Sequence, residues 1–385
     1  MLQTVELGSR ARLSAHTLRD HFVAPPCTHA ADVPWDAQAI APQWLTPILC
    51  AGVADAAVVA VQAEAASAGS SVRMRIEVSY NEAGQGAGLI TKFFAKTTPT
   101  ILTRLTSGPS AGQEAKFFAQ VRPDVPIETP VHRHSAHDRV SGRSIHLFED
   151  LVATRGASFC DYRTSFSRQQ IEAAFDLLAV LHGRFRNDAR LQADLAWIPT
   201  YEVFFHALAR TGTRSGHDEA LIKSQHLIPA EVFAARDKLW LAAEAGLALH
   251  AAGERTIIHS DVHPGNWYLT ASGAPGLCDW QCIAQGHWAR DFAYAMSTMV
   301  DVPQRRAWER ELLSRYLTKL QETGGPRVAV DDAWQHYRQQ LPAALLMWTP
   351  TLCHPPTMPD MQPEAVSFEM IRRITTAIDD LGVLR

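Results

Sequence analysis

A chain of 385 residues is long enough for two lobes built around more than one core. Its 46% hydrophobic and 20% charged residues are ordinary for a soluble globular protein, and a formal net charge of −4 gives no global basic field for nucleic acid or an anionic membrane. Six scattered cysteines with no C-x-x-C pair argue against a disulfide framework and for reduced thiols in a cytoplasmic protein. No apolar h-region opens the chain, and no run approaches the roughly 20 apolar residues of a membrane span.

Residues 1–34, with Pro25, Pro26 and Pro34, read as a leader with one short helix. Apolar positions from Trp35 to Leu49 predict an entry helix, with Pro42 near its start. Val58–Val61 predicts a strand, 63–71 a small-residue turn, and Val72–Tyr80 a half-buried strand with Val72, Met74, Ile76 and Val78 on one face. Residues 81–88 (NEAGQGAG) read as a hairpin turn before a third strand, Leu89–Phe94, completing an antiparallel meander. Ser110–Val121 predicts a helix carrying Glu114, and the His-rich stretch His132–His137 an exposed loop. Ser144–Leu151 is strand-like and ends in Glu149-Asp150-Leu151. Beyond it the pattern turns helical: a capping box at Ser167 and Gln170 opens a stripe through Leu181, and further helices cover 201–205, 229–250, 292–299, 308–320, 334–348 and 366–381. Pro342 predicts a kink or interruption in the fifth of these.

Chemistry concentrates in Ile257–Asp291. After a β-branched run the chain reads His259-Ser-Asp261-Val-His-Pro-Gly-Asn266, then Leu277-Cys-Asp279. Asp261 and Asn266 are five apart, and Asp279 lies thirteen further on. This is an H-x-D-x-x-x-x-N followed by a D, the order phosphoryl transfer from Mg-ATP requires. Asp261 is the candidate general base; Asn266 and Asp279 offer hard oxygens for Mg²⁺. A zinc reading of His259 and His263 fails, because no glutamate lies between them and Pro264-Gly265 breaks any helix.

The same chemistry needs a strand lysine paired with a helix glutamate. Lys92 with Glu114 is the expected pair, and Lys96 competes for the lysine role. Ser67, Gly69, Ser70 and Ser71 suit either a phosphate-cradling loop or a plain hairpin turn.

The motif set resembles the aminoglycoside phosphotransferase/choline kinase-like superfamily, with its closest look to the ecdysteroid-kinase-like (CHK) small-molecule kinases. The resemblance implies an α+β, protein-kinase-like two-lobe fold: residues 1–149 a nucleotide-binding lobe with an antiparallel sheet, and 150–385 a mostly helical catalytic and acceptor-binding lobe. It implies that His259 scaffolds the catalytic loop, that Asp291 braces that loop from a helix, and that Glu149 marks a hinge whose backbone bonds the adenine edge. It implies that the last helices wall the acceptor pocket, with Trp308, Trp334, Tyr337 and Trp348 as candidates. Only twelve residues separate Asp279 from Asp291, too few for a protein kinase's activation segment. The expected activity is phosphorylation of a hydroxyl on a small molecule, with ATP and Mg²⁺ as cofactors and no nucleic-acid or membrane partner. Rival readings are an antibiotic or hydroxyacyl-CoA kinase of the same fold, and a nucleotide-binding pseudokinase serving as an interaction module.

Overall fold

The computed structural model describes residues 2–68, 71–106, 108–252, 254–355 and 360–385. The chain forms two compact units, Met1–Ala119 with Pro130–Ala157, and Gln120–Thr129 with Ser158–Arg385. A single division after residue 149 was expected. Gln120–Thr129 instead joins the second unit, because Leu277 donates its N–H to Glu128 O (3.0 Å) and the Tyr268 hydroxyl to Glu128 Oε1 (2.7 Å).

The first unit is built on a five-stranded antiparallel sheet of β1 (Val58–Ala68), β2 (Val72–Tyr80), β3 (Lys92–Thr97), β4 (His132–Asp138) and β5 (Arg143–Glu149), in the order β1-β2-β3-β5-β4. β2 alternates as its sequence predicts, burying Met74, Ile76, Val78 and Tyr80 on one face. These pack with Trp44, Leu45, Phe93, Ala95, Ile145 and Leu147 into one core. The entry helix begins later than expected, at Pro42, where a proline's missing N–H costs nothing (Pro42–Leu49).

Three expectations are corrected. Residues 81–88 are not a simple turn: Asn81 accepts the Gly84 N–H and caps a helical turn, Glu82–Gly86, which delays β3 until Lys92. His132–His137 is not a loop but the edge strand β4. His132 stacks on Phe118 (centroids 4.8 Å apart) and His134 packs edge-on against Trp44 (5.7 Å). Burial, with a smaller contribution from His134, pushes the His132 imidazole down to about 4, so a polar-looking segment behaves as an aromatic strand. The leader is a 22-residue helix, Leu2–Val23.

That helix is tied to the sheet by charge. Asp20 accepts from Arg104 Nη2 (2.6 Å) and from Arg143 Nε (2.9 Å) and Nη2. Asp20 and Arg104 are 2% and 1% exposed, so neither is satisfied by water.

The second unit is mostly helical. The Ser167–Gln170 capping box opens Arg168–Arg184. The helix expected over 229–250 breaks into Ala230–Ala234, a turn at Arg236–Lys238, and Leu239–Ala251. Val330–Leu352 is not interrupted and runs through Pro342 and Pro350, with Leu341, Pro342 and Pro350 buried in the surrounding bundle. Short strands complete the unit: β6 (Ser158–Phe159), β8 (Trp267–Leu269) and β9 (Pro275–Leu277) form one sheet, while β7 (Thr256–Ile258) pairs with β10 (Ala284–Gly286). Among the described residues, no helix is long and apolar enough to cross a membrane.

Removing Asp20 strands two guanidiniums, one fully buried. Asp20→Ala is expected to cost about 3–5 kcal/mol in the first unfolding transition, measured in urea. The pH dependence has a definite sign. Burial works to raise the Asp20 carboxyl, but its bonds to Arg143 and Arg104 hold it below its ordinary value. Its contribution is therefore complete above the unfolded carboxylate range and is lost as pH falls through the depressed value. A variant as stable as the parent at pH 7 would remove this account.

Candidate active site

β7 delivers Ile257 and Ile258 into the core, both fully buried, and the chain then turns sharply. Ser260 takes the left-handed conformation (φ +69°), which costs a residue with a Cβ about 1–2 kcal/mol. The turn is held by the helix Ala289–Met299. Asp291, fully buried, accepts the N–H groups of His259 (2.6 Å, Oδ2) and Ser260 (2.9 Å, Oδ1). Arg290 donates to Ser260 O (3.1 Å) and to the Tyr201 hydroxyl (2.7 Å). His182, on Arg168–Arg184, donates from Nε2 to Asp291 Oδ2 (3.2 Å), and its Nδ1 meets the Tyr316 hydroxyl (2.7 Å). Burial works to raise the Asp291 carboxyl, but the His182 hydrogen bond and the neighbouring Arg290 guanidinium hold it below its ordinary value.

Asp261 emerges from this brace with both carboxylate oxygens engaged. The Tyr294 hydroxyl donates to Oδ1 (3.1 Å). Asn266 Nδ2 donates to Oδ2 (3.1 Å) and to the Asp261 carbonyl (2.7 Å). His263 Nε2 stands 3.7 Å from Oδ2, while its Nδ1 accepts the Gly265 N–H (3.1 Å). The close fold of this ring explains the glycine: a Cβ at 265 would come within 2.9 Å of His263 Cε1.

Asn266 and Asp279 lie at the same end of the β8–β9 hairpin. Trp267 pairs with Leu277, and one step further Cys278 donates its N–H to Asn266 O (2.9 Å). Asp279 itself is left-handed (φ +67°). His259 closes the arrangement. Its Nδ1 accepts the Asp261 N–H (3.2 Å), so Nε2 carries the proton and donates to Cys278 O (3.0 Å). Burial lowers the pKa of this imidazole and favours that neutral form.

The donor set suits Mg²⁺. An amide oxygen and a carboxylate are hard ligands, and Mg²⁺ is commonly held by one or two carboxylates with phosphate oxygens and water completing its shell. Committing Asn266 Nδ2 to Asp261 leaves Oδ1, the atom a cation would bind, on the other side of the amide.

In the first unit, Lys96 Nζ lies 3.1 and 3.2 Å from the two oxygens of Glu114, on the helix Gly108–Lys116. Glu114 is buried and Lys96 largely covered, with side chains 4% and 13% exposed.

A model of the phosphotransferase enzyme family (APH) matches residues 86–330. The chain belongs to that family. A solved structure supports the fold. The spectinomycin phosphotransferase APH(9)-Ia, in complex with ADP and spectinomycin, aligns with a TM-score of 0.52 at 11% identity, over 85% of this chain and 94% of that one. The GDP complex of aminoglycoside 2'-phosphotransferase-IIIa aligns at 0.49 and 10% identity, over 86% and 97%. Choline kinase LicA from Streptococcus pneumoniae aligns at 0.45 and 13%, over 84% and 94%. No curated protein matches the chain.

In this member of the family the residues of the 259–279 strip come together, but the lysine assignment changes. Lys96, not Lys92, pairs with Glu114. Lys92 starts β3 with an exposed side chain, whereas Lys96, next to the strand's last residue, is largely covered and reaches Glu114. Of the loop residues, Ser67 falls within β1, in register with Arg73, and Ser71 directly precedes β2. Gly69 and Ser70 lie outside the described residues. Glu149 does not offer its N–H to a ligand, since that group donates to Val131 O (2.9 Å). Its carboxylate is taken by Arg133 (3.1 Å), Arg155 (2.8 Å) and Thr154 (2.8 Å). Among the proposed wall residues, Trp348 is the one against the strip, its ring edge-on to His263 (centroids 5.1 Å). Trp308 and Trp334 lie under Arg168 and Arg310, and the Tyr337 hydroxyl bonds Glu309 (3.0 Å). Tyr294 was missed, although three residues after Asp291 on one helix is a spacing that shares a face.

The Ser260 turn gives a direct test. A β-branched side chain is a poor fit at φ +69°, so Ser260→Val is expected to lose about 1–3 kcal/mol of stability, while Ser260→Gly stays within about 1 kcal/mol of the parent. Thermal melts of the two variants read the difference, and equal midpoints would contradict the turn geometry.

Proposed function

We propose that the chain transfers the γ-phosphoryl group of ATP to a hydroxyl of a small molecule. The observation that carries this reading is the single hydrogen-bonded unit formed by Asp261 and Asn266 at the hairpin end that also bears Asp279. The acceptor hydroxyl is positioned at Asp261, which takes its proton as the oxygen attacks phosphorus. The bond to the bridging oxygen breaks, and ADP leaves with that electron pair. Because such a transition state is loose, placement matters more than basicity, and a carboxylate fixed by neighbours is suited to the task. Mg²⁺, when bound through Asn266 and Asp279, would neutralise phosphate charge. In this reading Lys96, fixed by Glu114, grips the nucleotide phosphates.

The small size of the acceptor is supported by what fills the chain between Asp279 and the helix at Ala289. A tight turn, Trp280–Cys282, leads into β10, which pairs with β7. That segment is fully used in building the unit and offers no platform for a protein substrate.

Purified protein with Mg²⁺, ATP and a broad panel of hydroxylated acceptors is the deciding experiment, read as ADP formed. With the acceptor that responds, Asp261→Ala should lower kcat by about 10²–10⁴-fold and leave ATP binding intact. Unchanged turnover would sink the assignment of the base. Tight binding of Mg-ATP without transfer to any acceptor would favour the interaction-module reading instead.

The two lysines make a second comparison. Charge-assisted contacts are worth about 1.5–3 kcal/mol, so Lys96→Met should weaken ATP use by about 10–100-fold. Lys92→Met should stay near the parent. The reverse ranking in KM for ATP would return the phosphate role to Lys92.

A further inference from the structure

The helix Ala289–Met299 touches the catalytic loop through Arg290, Asp291 and Tyr294. Asp291 takes the backbone N–H groups of His259 and Ser260, and Arg290 binds the Ser260 carbonyl. Tyr294 lies three residues further along the helix, and it reaches a side chain: its hydroxyl donates to Asp261 Oδ1 (3.1 Å). The first two residues fix the backbone. The third acts on the carboxylate assigned to the chemistry.

The choice of tyrosine is informative. Its ring is 1% exposed, with the Arg290 guanidinium 4.6 Å from its centroid. Phenylalanine would fill that volume equally well and would avoid burying a hydroxyl. A buried phenol needs a partner, and here the partner is Asp261. Burial, followed by the nearby Asp261 charge, raises the phenol well above its ordinary value, so it stays a donor at any working pH. With Asn266 Nδ2 on Oδ2, the carboxylate is held from both ends and cannot turn about its terminal torsion without breaking a bond. That torsion is broad in an unrestrained aspartate.

We infer that Tyr294 is a positioning residue for phosphoryl transfer, locking the rotamer of Asp261 through Oδ1. The inference rests on the proposed role of Asp261 as base. Tyr294 touches neither the acceptor nor the phosphate. It keeps the proton-accepting oxygens where the attacking hydroxyl needs them, and a misplacement of about 1 Å can cost about 10²-fold in rate.

The test needs no identified acceptor: with Mg-ATP and water as the acceptor, the attacking water would pass its proton to the same carboxylate. ADP release would be measured for the full chain, for Tyr294→Phe, for Asp261→Asn and for the double variant. Tyr294→Phe keeps the ring against Arg290 and removes only the hydroxyl. The expected result is a kcat lowered about 10–100-fold, with KM for ATP and the thermal midpoint unchanged. In the Asp261→Asn background the same substitution should have little further effect, since its target is already gone. A Tyr294→Phe kcat within twofold of the parent would overturn the inference. So would a matching rise in KM with a fall in thermal midpoint, which marks a merely structural loss. So would a full multiplicative loss in the double variant, which places the hydroxyl's effect elsewhere. Wild-type turnover by Asp261→Asn is a separate result that removes the base itself.

Discussion

The buried carboxylate of Asp291 is the constraint on which the catalytic strip depends. A charge taken fully out of water is costly unless its hydrogen-bonding capacity is used and opposite charge is near. Asp291 meets both conditions by accepting two consecutive backbone N–H groups and the His182 ring, with Arg290 beside it. The loop is thereby bound to a helix by a bidentate contact that water cannot replace. His182 extends the tie to a second helix, since its carbonyl also accepts the Thr256 hydroxyl (2.6 Å) at the start of β7. Two helices and a strand thus share one anion, and the geometry of Asp261 follows from them.

Strain is concentrated where that anchoring is strongest. Ser260 and Asp279, two of the few non-glycine residues with positive φ, each sit beside a residue assigned to the chemistry or carry it. Left-handed backbone persists only where the surroundings over-determine it. At Ser260 the restraint is explicit, because its N–H goes to Asp291 and its C=O to Arg290. The sharp turn lifts Asp261 out of β7, whose isoleucines are buried in the core, to a place where its side chain is partly accessible.

The catalytic strip was legible because its parts are close in sequence. Asp261 and Asn266 meet across five residues, and Asp279 returns through a short hairpin. The first unit was harder to read. Lys92 and Lys96 have the same parity on β3, so alternation could not choose between them. Only the strand's starting point could, and a helical turn capped by Asn81 sets it. The edge strand β4 was hidden because its histidines are counted as polar, yet they pack as neutral rings on Phe118 and Trp44. Asp20 pairs with arginines 84 and 123 residues away, a distance at which no local pattern speaks. Tyr294 lay within reach of a helical-face argument, but its partner is 33 residues back on another element.

His259 shows how an apparently catalytic histidine can serve geometry alone. The ring accepts the Asp261 N–H at one nitrogen and donates to the Cys278 carbonyl at the other, so one imidazole sets the spacing between Asp261 and the hairpin end bearing Asp279. This bridge requires the neutral form. Protonating Nδ1 would set an N–H against the Asp261 N–H and break the link at its base end. Burial already disfavours that charge, and the edge-on Trp280 ring (4.7 Å) holds the imidazole plane. A residue that must stay neutral to do its structural work is a poor proton shuttle. The proposed reaction assigns the released proton to Asp261, whose two oxygens have separate donors, Tyr294 and Asn266, to hold them in place.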